Sequence, residues 1–130
     1  MFLNSNFSVY PCTAAITRGV PAALNSAGTV TAQSSSGGNG YRCIGIAHNS
    51  PEAAGQFCVV QTRGICDYAT TDGNLADSDV LVIANDGNVI GMTLVELASA
   101  TMASLPLVVG KALGVADVGT VGKILITCGN

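Results

Sequence analysis

The feature that most constrains this chain is a set of short, glycine-closed, β-prone runs that occurs twice along it. Ile44-Gly45-Ile46-Ala47 returns as Val109-Gly110-Lys111-Ala112. The interval from Ile44 to Gly64 is twenty residues, and so is that from Val109 to Gly129. Inside each interval lies a small-residue turn, Glu52-Ala53-Ala54-Gly55 in one copy and Ala116-Asp117-Val118-Gly119 in the other, followed by a strand-like run. A second element repeats as well. Ile16 stands twelve residues before Gly28 in Ala27-Gly28-Thr29-Val30, and Leu75 stands twelve before Gly87 in Asp86-Gly87-Asn88-Val89. Matched intervals between turn residues imply matched supersecondary units. Glycine in the x-Gly-x-Val turns supplies the positive φ that a tight hairpin requires.

The runs between the turns have strand character. Cys58-Val59-Val60-Gln61-Thr62, Val80-Leu81-Val82-Ile83-Ala84 and Lys123-Ile124-Leu125-Ile126-Thr127-Cys128 are short, apolar or β-branched, and bounded by Gly or Asn-Asp-Gly. The expected fold is therefore mainly β: a small β-sandwich or partly closed barrel made of two pseudo-repeated units, over about 16–64 and 75–129. Residues 1–15 read as an N-terminal arm ahead of a β-rich domain over 16–130. The arm carries Phe2, Leu3, Phe7 and Tyr10, apolar anchors suited to an oligomer or lattice interface; an edge strand of the same domain is the alternative. Two inserts distinguish the units. Gln33-Ser34-Ser35-Ser36-Gly37-Gly38-Asn39-Gly40 reads as an exposed, flexible loop. Between Met92 and Ser104, Thr93-Leu94-Val95-Glu96 fits a capping box and predicts one short helix stopped by Pro106, with a strand over 93–97 as the alternative.

Composition narrows the classes of function. A chain of 130 residues fits a single domain. Hydrophobic residues make up 48 % and charged residues only 10 %, where an average soluble domain has about 25 % charged. A surface so poor in charge implies coverage by further copies or by a larger assembly. No stretch reaches the roughly 18–20 apolar residues of a membrane-spanning helix. The net charge is −3, and Arg18, Arg42, Arg63, Lys111 and Lys123 are scattered, so direct nucleic-acid binding is not expected. The five cysteines form no Cys-x-x-Cys pair; they read as reduced, small apolar residues, with an intermolecular bridge as the alternative. Met1-Phe2-Leu3-Asn4-Ser5-Asn6 lacks the basic and apolar regions of a signal peptide.

Catalytic chemistry has few residues to draw on. The single histidine, His48, sits in His48-Asn49-Ser50-Pro51, which reads as a turn, with no partner at zinc-ligand spacing and no nucleophile elbow. Asp72-Gly73 and Asp77-Ser78-Asp79 lack the pattern of a calcium loop and read as turn-forming residues. Gly37-Gly38-Asn39-Gly40 has no following Lys-Ser/Thr, so it is not a phosphate loop. No catalytic, cofactor or metal residue is assigned, and a non-enzymatic role is expected.

Ile16-Thr17-Arg18-Gly19-Val20, Ile44-Gly45-Ile46-Ala47, Gly55 with Val59-Val60 to Arg63-Gly64, Asp86-Gly87-Asn88-Val89 and Val109-Gly110-Lys111-Ala112, in this order and spacing, resemble the small head-decoration (capsid cement) proteins of tailed bacteriophages. The resemblance covers about 16–129 and departs from the usual pattern at Asp77-Ser78-Asp79 and in the length of the 92–104 insert. It implies a compact β-fold, made in the host cytoplasm, that binds the outside of a capsid and clamps adjacent major capsid subunits. It also implies self-association, as a homo-trimer or alternatively a dimer, with neither cofactor, nucleic acid nor membrane as partner. A fibre, tail or surface adhesion module that binds a host receptor is the alternative function. A small ligand-binding barrel or enzyme would require a pocket around His48 or the Asp72–Asp79 cluster.

Overall fold

The computed structural model describes residues 6–32, 42–71, 80–83, 89–92, 108–114 and 121–128. The protein is mainly β, and the described residues contain no helix. Among the described residues, ten strands form two antiparallel five-stranded sheets. The first contains β1 (Phe7–Pro11), β2 (Pro21–Leu24), β3 (Val30–Ala32), β4 (Arg42–Ala47) and β5 (Phe57–Gln61). The second contains β6 (Gly64–Thr70), β7 (Val80–Ile83), β8 (Val89–Met92), β9 (Val108–Ala112) and β10 (Val121–Ile126). The expected short helix and its Pro106 stop lie outside the described residues, as do Phe2, Leu3, the 33–40 loop and Asp72 to Asp79. Met92 is the last residue of β8.

The strand orders are β1-β5-β4-β2-β3 and β6-β10-β9-β7-β8, so the second sheet is the first with every strand advanced by five. Each set opens on a strand, β1 or β6, that lies outside the two sequence-matched segments but for Gly64 at the start of β6. Phe7–Pro11 is thus an edge strand paired with β5, from Phe7↔Gln61 to Pro11↔Phe57. The correspondence extends to an irregularity. Along β2 and β4 the partners run Ala22↔Gly45 and then Ala23↔Cys43, leaving Ile44 as an extra residue. Along β7 and β9 they run Leu81↔Gly110 and then Val82↔Val108, leaving Val109. An inserted residue bends a strand and shifts its two-residue alternation. Accordingly Ile44 and Ala47, three apart, share one apolar cluster, while Cys43 and Ile46 share another.

The matched glycines have a common cause. A Cβ at Gly45 would stand 1.9 Å from the Gln61 carbonyl oxygen, and one at Gly110 would stand 1.9 Å from that of Leu125. Both strand pairs approach so closely that only glycine fits. The hairpin between β2 and β3 is held differently. Asn25 Oδ1 accepts the amides of Ala27 and Thr29 at 3.0 and 3.1 Å, and Gly28 takes φ +82°. Asparagine side chains stabilise turns in this way.

Each sheet has its own apolar cluster. Cys12, Ile16, Ala22, Val30, Ile44, Ala47, Cys58 and Val60 fill the first. Cys66, Ala69, Val109, Ala112, Ile124 and Ile126 fill the second, joined by Cys43 and Ile46 from β4. That sharing packs the first sheet onto the second, giving a sandwich-like arrangement. Neither sheet closes into a barrel. In the first, one parallel bridge, Cys12↔Val30, ties the end of β1 to the start of the opposite edge β3. Thr71 occupies a bridge position directly after β6, as Cys12 does after β1, and is equally buried.

Candidate functional site

Two regions of the described surface carry side chains that could act. One lies between the sheets. Gly19 reaches across the junction: its N–H donates to Ala47 O at 2.9 Å, and its carbonyl accepts from Thr70 N of β6 at 2.9 Å. Gly19 has φ +98°, and a Cβ there would lie 2.5 Å from Tyr68 O, so no other residue fits. This placement swings Arg18 over the Tyr68 ring, 4.2 Å from its centroid, with Arg18 Nε donating to His48 O at 3.0 Å.

The hydrogen bonds beside it run in one direction. Gln61, only 5 % exposed, donates through Nε2 to Arg63 O and Ile65 O at 3.2 and 2.9 Å, which turns its Oε1 toward Tyr68. Tyr68 donates its only proton to that oxygen at 2.5 Å. Its hydroxyl can then only accept from His48 Nδ1, 3.0 Å away, which sets the proton on Nδ1. Phe7 meets the same imidazole edge-on, with centroids 5.0 Å apart. Burial is the main cause that pushes the Tyr68 phenol well above its usual range, so it stays a neutral donor. Histidine, tyrosine and glutamine here form a satisfied chain that pins β4, β5 and β6 together.

Two thiols buried in the clusters, Cys58 and Cys66, are quiescent. Burial, with the nearby Cys12, pushes Cys58 up to about 11, and burial also raises Cys66. A thiol nucleophile must be ionised to react, so these groups are inert at neutral pH. Cys12 Sγ donates to Ala53 O at 3.2 Å. Among the described residues no group of three or more His, Cys, Asp or Glu side chains is placed to hold a metal.

The second region is apolar. On the outer face of β1 and β5, Val9 opposes Val59 and Pro11 opposes Phe57. Val9 is 57 % exposed and Phe57 64 %. On the second sheet Ile65 and Val121 are each 59 % exposed. The anchors read from the sequence fall differently. Tyr10 points to the opposite face of β1 and packs, partly buried, on the first cluster. Phe7 is half-buried against His48. Val9 and Phe57 are the residues that face outward, and sequence reasoning missed them. The signal was available in the alternation Phe7-Ser8-Val9-Tyr10, which puts Val9 and Tyr10 on opposite faces once residues 7–11 are taken as a strand.

No known protein family matches this chain, and no curated protein matches it.

Proposed function

We propose that this protein is a non-catalytic capsid decoration, or cement, protein that associates with itself and binds the outer surface of a phage head, between neighbouring major capsid subunits. The observation that carries the reading is the outward apolar face of β1 and β5, where Val9 and Phe57 are both more than half exposed on one face of an edge strand and its neighbour. Exposed apolar side chains grouped this way favour a partner surface over water. A quiet, buried Cys58 thiol and a hydrogen-bonded His48–Tyr68–Gln61 chain suit a body whose work is adhesion. The resemblance of the Gly19, Gly45 and Gly110 segments to cement proteins supplies the identity of the lattice. Repetition over a symmetric shell then multiplies individually weak contacts.

Co-sedimentation of the purified chain with undecorated phage heads, and light scattering of the chain alone, test this. The wild type pellets with heads and scatters as an oligomer. Val9→Asp with Phe57→Asp folds normally but loses head binding, because two carboxylates cannot be desolvated there without partners. Binding of wild type and double variant to the same extent would refute the assignment of this face. Binding to host cells without affinity for heads would refute the cement role.

A further inference from the structure

The junction between the sheets holds a pair of thiols that neither the hydrogen-bond chain nor the apolar face uses. Cys43 Sγ and Cys128 Sγ lie 3.5 Å apart. Cys43 is in β4 of the first sheet and is fully enclosed, within the cluster shared with β6, β9 and β10. Cys128 follows β10 and is partly exposed at the rim of that cluster. Its backbone is fixed, since the amides of Thr127 and Cys128 both donate to Val109 O, at 3.0 and 3.2 Å. The two sulfurs are not bonded to each other in the structure.

We propose that Cys43 and Cys128 form a site of reversible intramolecular disulfide formation, which clamps the first sheet to the second when the chain meets a disulfide oxidant. A disulfide holds its sulfurs at about 2.05 Å, so closure asks for a movement of roughly 1.5 Å, within reach of side-chain rotation at a partly exposed residue. The order of events follows from exposure. Cys128, as thiolate, attacks one sulfur of a small disulfide such as glutathione disulfide. One glutathione leaves as thiolate, and a mixed disulfide remains on Cys128. Cys43 lies in contact with that sulfur. It gives up its proton to solvent and attacks Cys128 Sγ, and the second glutathione leaves as thiolate, which is then protonated. The two protein thiols are oxidised to one disulfide, and one oxidant disulfide is reduced to two thiols. The contact with Cys128, together with burial, holds the Cys43 proton tightly, so the second step is the slow one.

The clamp has a structural consequence that the other cysteines do not offer. Cys12, Cys58 and Cys66 all belong to the cluster of their own sheet. Cys43–Cys128 spans the two halves of the chain and closes most of it into one loop, and constraint of the unfolded chain grows with loop length. The protein would be adaptable while reduced and fixed once oxidised. This inference rests on the thiol geometry alone and holds whatever surface the protein binds.

The test uses the full-length chain with glutathione disulfide as probe, intact-mass measurement, and peptide mapping without reduction. The expected product is a monomer lighter by two hydrogens, with the peptides of Cys43 and Cys128 joined. Its urea midpoint lies above that of the reduced protein and returns on adding dithiothreitol. Cys128→Ser and Cys43→Ser each abolish the link. Cys128→Ser, at a rim position, keeps the fold and so controls for damage by the buried substitution. Three results would each overturn the proposal: a Cys128–glutathione adduct that persists without resolution, a link between other cysteines or between chains, or an oxidised form with a lower midpoint than the reduced one.

Discussion

Replacing Gly45 or Gly110 by alanine should destabilise the protein far more than alanine at Gly28, Gly55 or Gly114, and by similar amounts at the two sites. The added Cβ would start 1.9 Å from Gln61 O or Leu125 O, and 2.8 or 2.9 Å from the carbonyl carbons. Close C···O contacts in sheets are about 3.3–3.6 Å, so the strands must part by roughly 1.4 Å or more. The obstacle is backbone, so no rotamer change relieves it. Parting the strands stretches the ladder at Ile46↔Gln61 in one sheet and Gly110↔Ile126 in the other. Overpacking costs about 1–3 kcal/mol, and each backbone group left unpaired in a buried ladder adds about 1–3 kcal/mol. The expected loss is thus about 3 kcal/mol or more per site, a large part of the roughly 5–15 kcal/mol that holds a domain together. Gly28 and Gly55 provide the comparison. A Cβ there meets nothing within 4 Å, but φ is +82° and +86°. Alanine should cost only the left-handed penalty of about 1–2 kcal/mol. Gly114 has open space and no positive φ, so Gly114→Ala should be neutral or stabilise by about 0.4–1 kcal/mol. Urea unfolding of the five variants measures the series. Gly45→Ala or Gly110→Ala unfolding at a midpoint no lower than Gly28→Ala would refute the close-approach argument.

Tyr68→Phe removes both the donor to Gln61 Oε1 and the acceptor of His48 Nδ1–H. Urea unfolding should show a loss of about 1–3 kcal/mol, the cost of an unsatisfied buried amide oxygen, and Arg18→Ala a smaller one of about 0.5–1 kcal/mol for an exposed cation–π contact. The Cys58 thiol is raised from 9.0 to about 11 by burial and by Cys12. A thiol that holds its proton more tightly when folded stabilises fully below the unfolded value and loses that contribution as pH rises through the folded one. Thermal unfolding under reducing conditions should therefore weaken between pH 9 and 11, and Cys58→Ala should weaken less over the same window.

Much of the fold is written locally. β-branched runs closed by glycine mark the strands around Val59, Val82 and Ile124, and the paired motifs at Gly45 and Gly110 mark a close approach made in each sheet. What local pattern cannot carry is the extra residue at Ile44 and Val109, because a bulge shows only against its partner strand. Without it, Cys43 and Ile46 read as residues of opposite faces, whereas both turn toward the second sheet. Sequence alone leaves residues 7–11 open between an arm and an edge strand, because the pairing partner, β5, lies some fifty residues on. The same distance hides the junction. His48 reads as a turn residue, and its engagement by Tyr68 depends on β6 crossing beside β4 and β5. Cys43 and Cys128 are 85 apart in sequence and meet only in the folded chain.

The two sheets share a topology but not an environment, and one pair of matched positions makes the difference measurable. Ile46 and Lys111 stand at the same place, each following the close-approach glycine of its strand. Ile46 is fully buried against the second sheet, while Lys111 is exposed. The contact between sheets is therefore heterologous: the outer side of β4 is covered by the other half of the chain, and the outer side of β9 is not. Ile46→Lys places an ammonium where the cluster of Cys66, Val109 and Ile124 offers no counter-charge. Burial of an unpaired charge costs several kcal/mol even after relaxation, so this variant should unfold at a much lower urea concentration or not fold. Lys111→Ile makes the complementary change on an open surface. It should leave the urea midpoint within about 0.5 kcal/mol, as surface substitutions do, and it should increase self-association in light scattering, because it gives β9 the apolar outer side that β4 already buries. Equal tolerance of the two substitutions would mean that the halves pack symmetrically, and the heterologous contact would have to be abandoned.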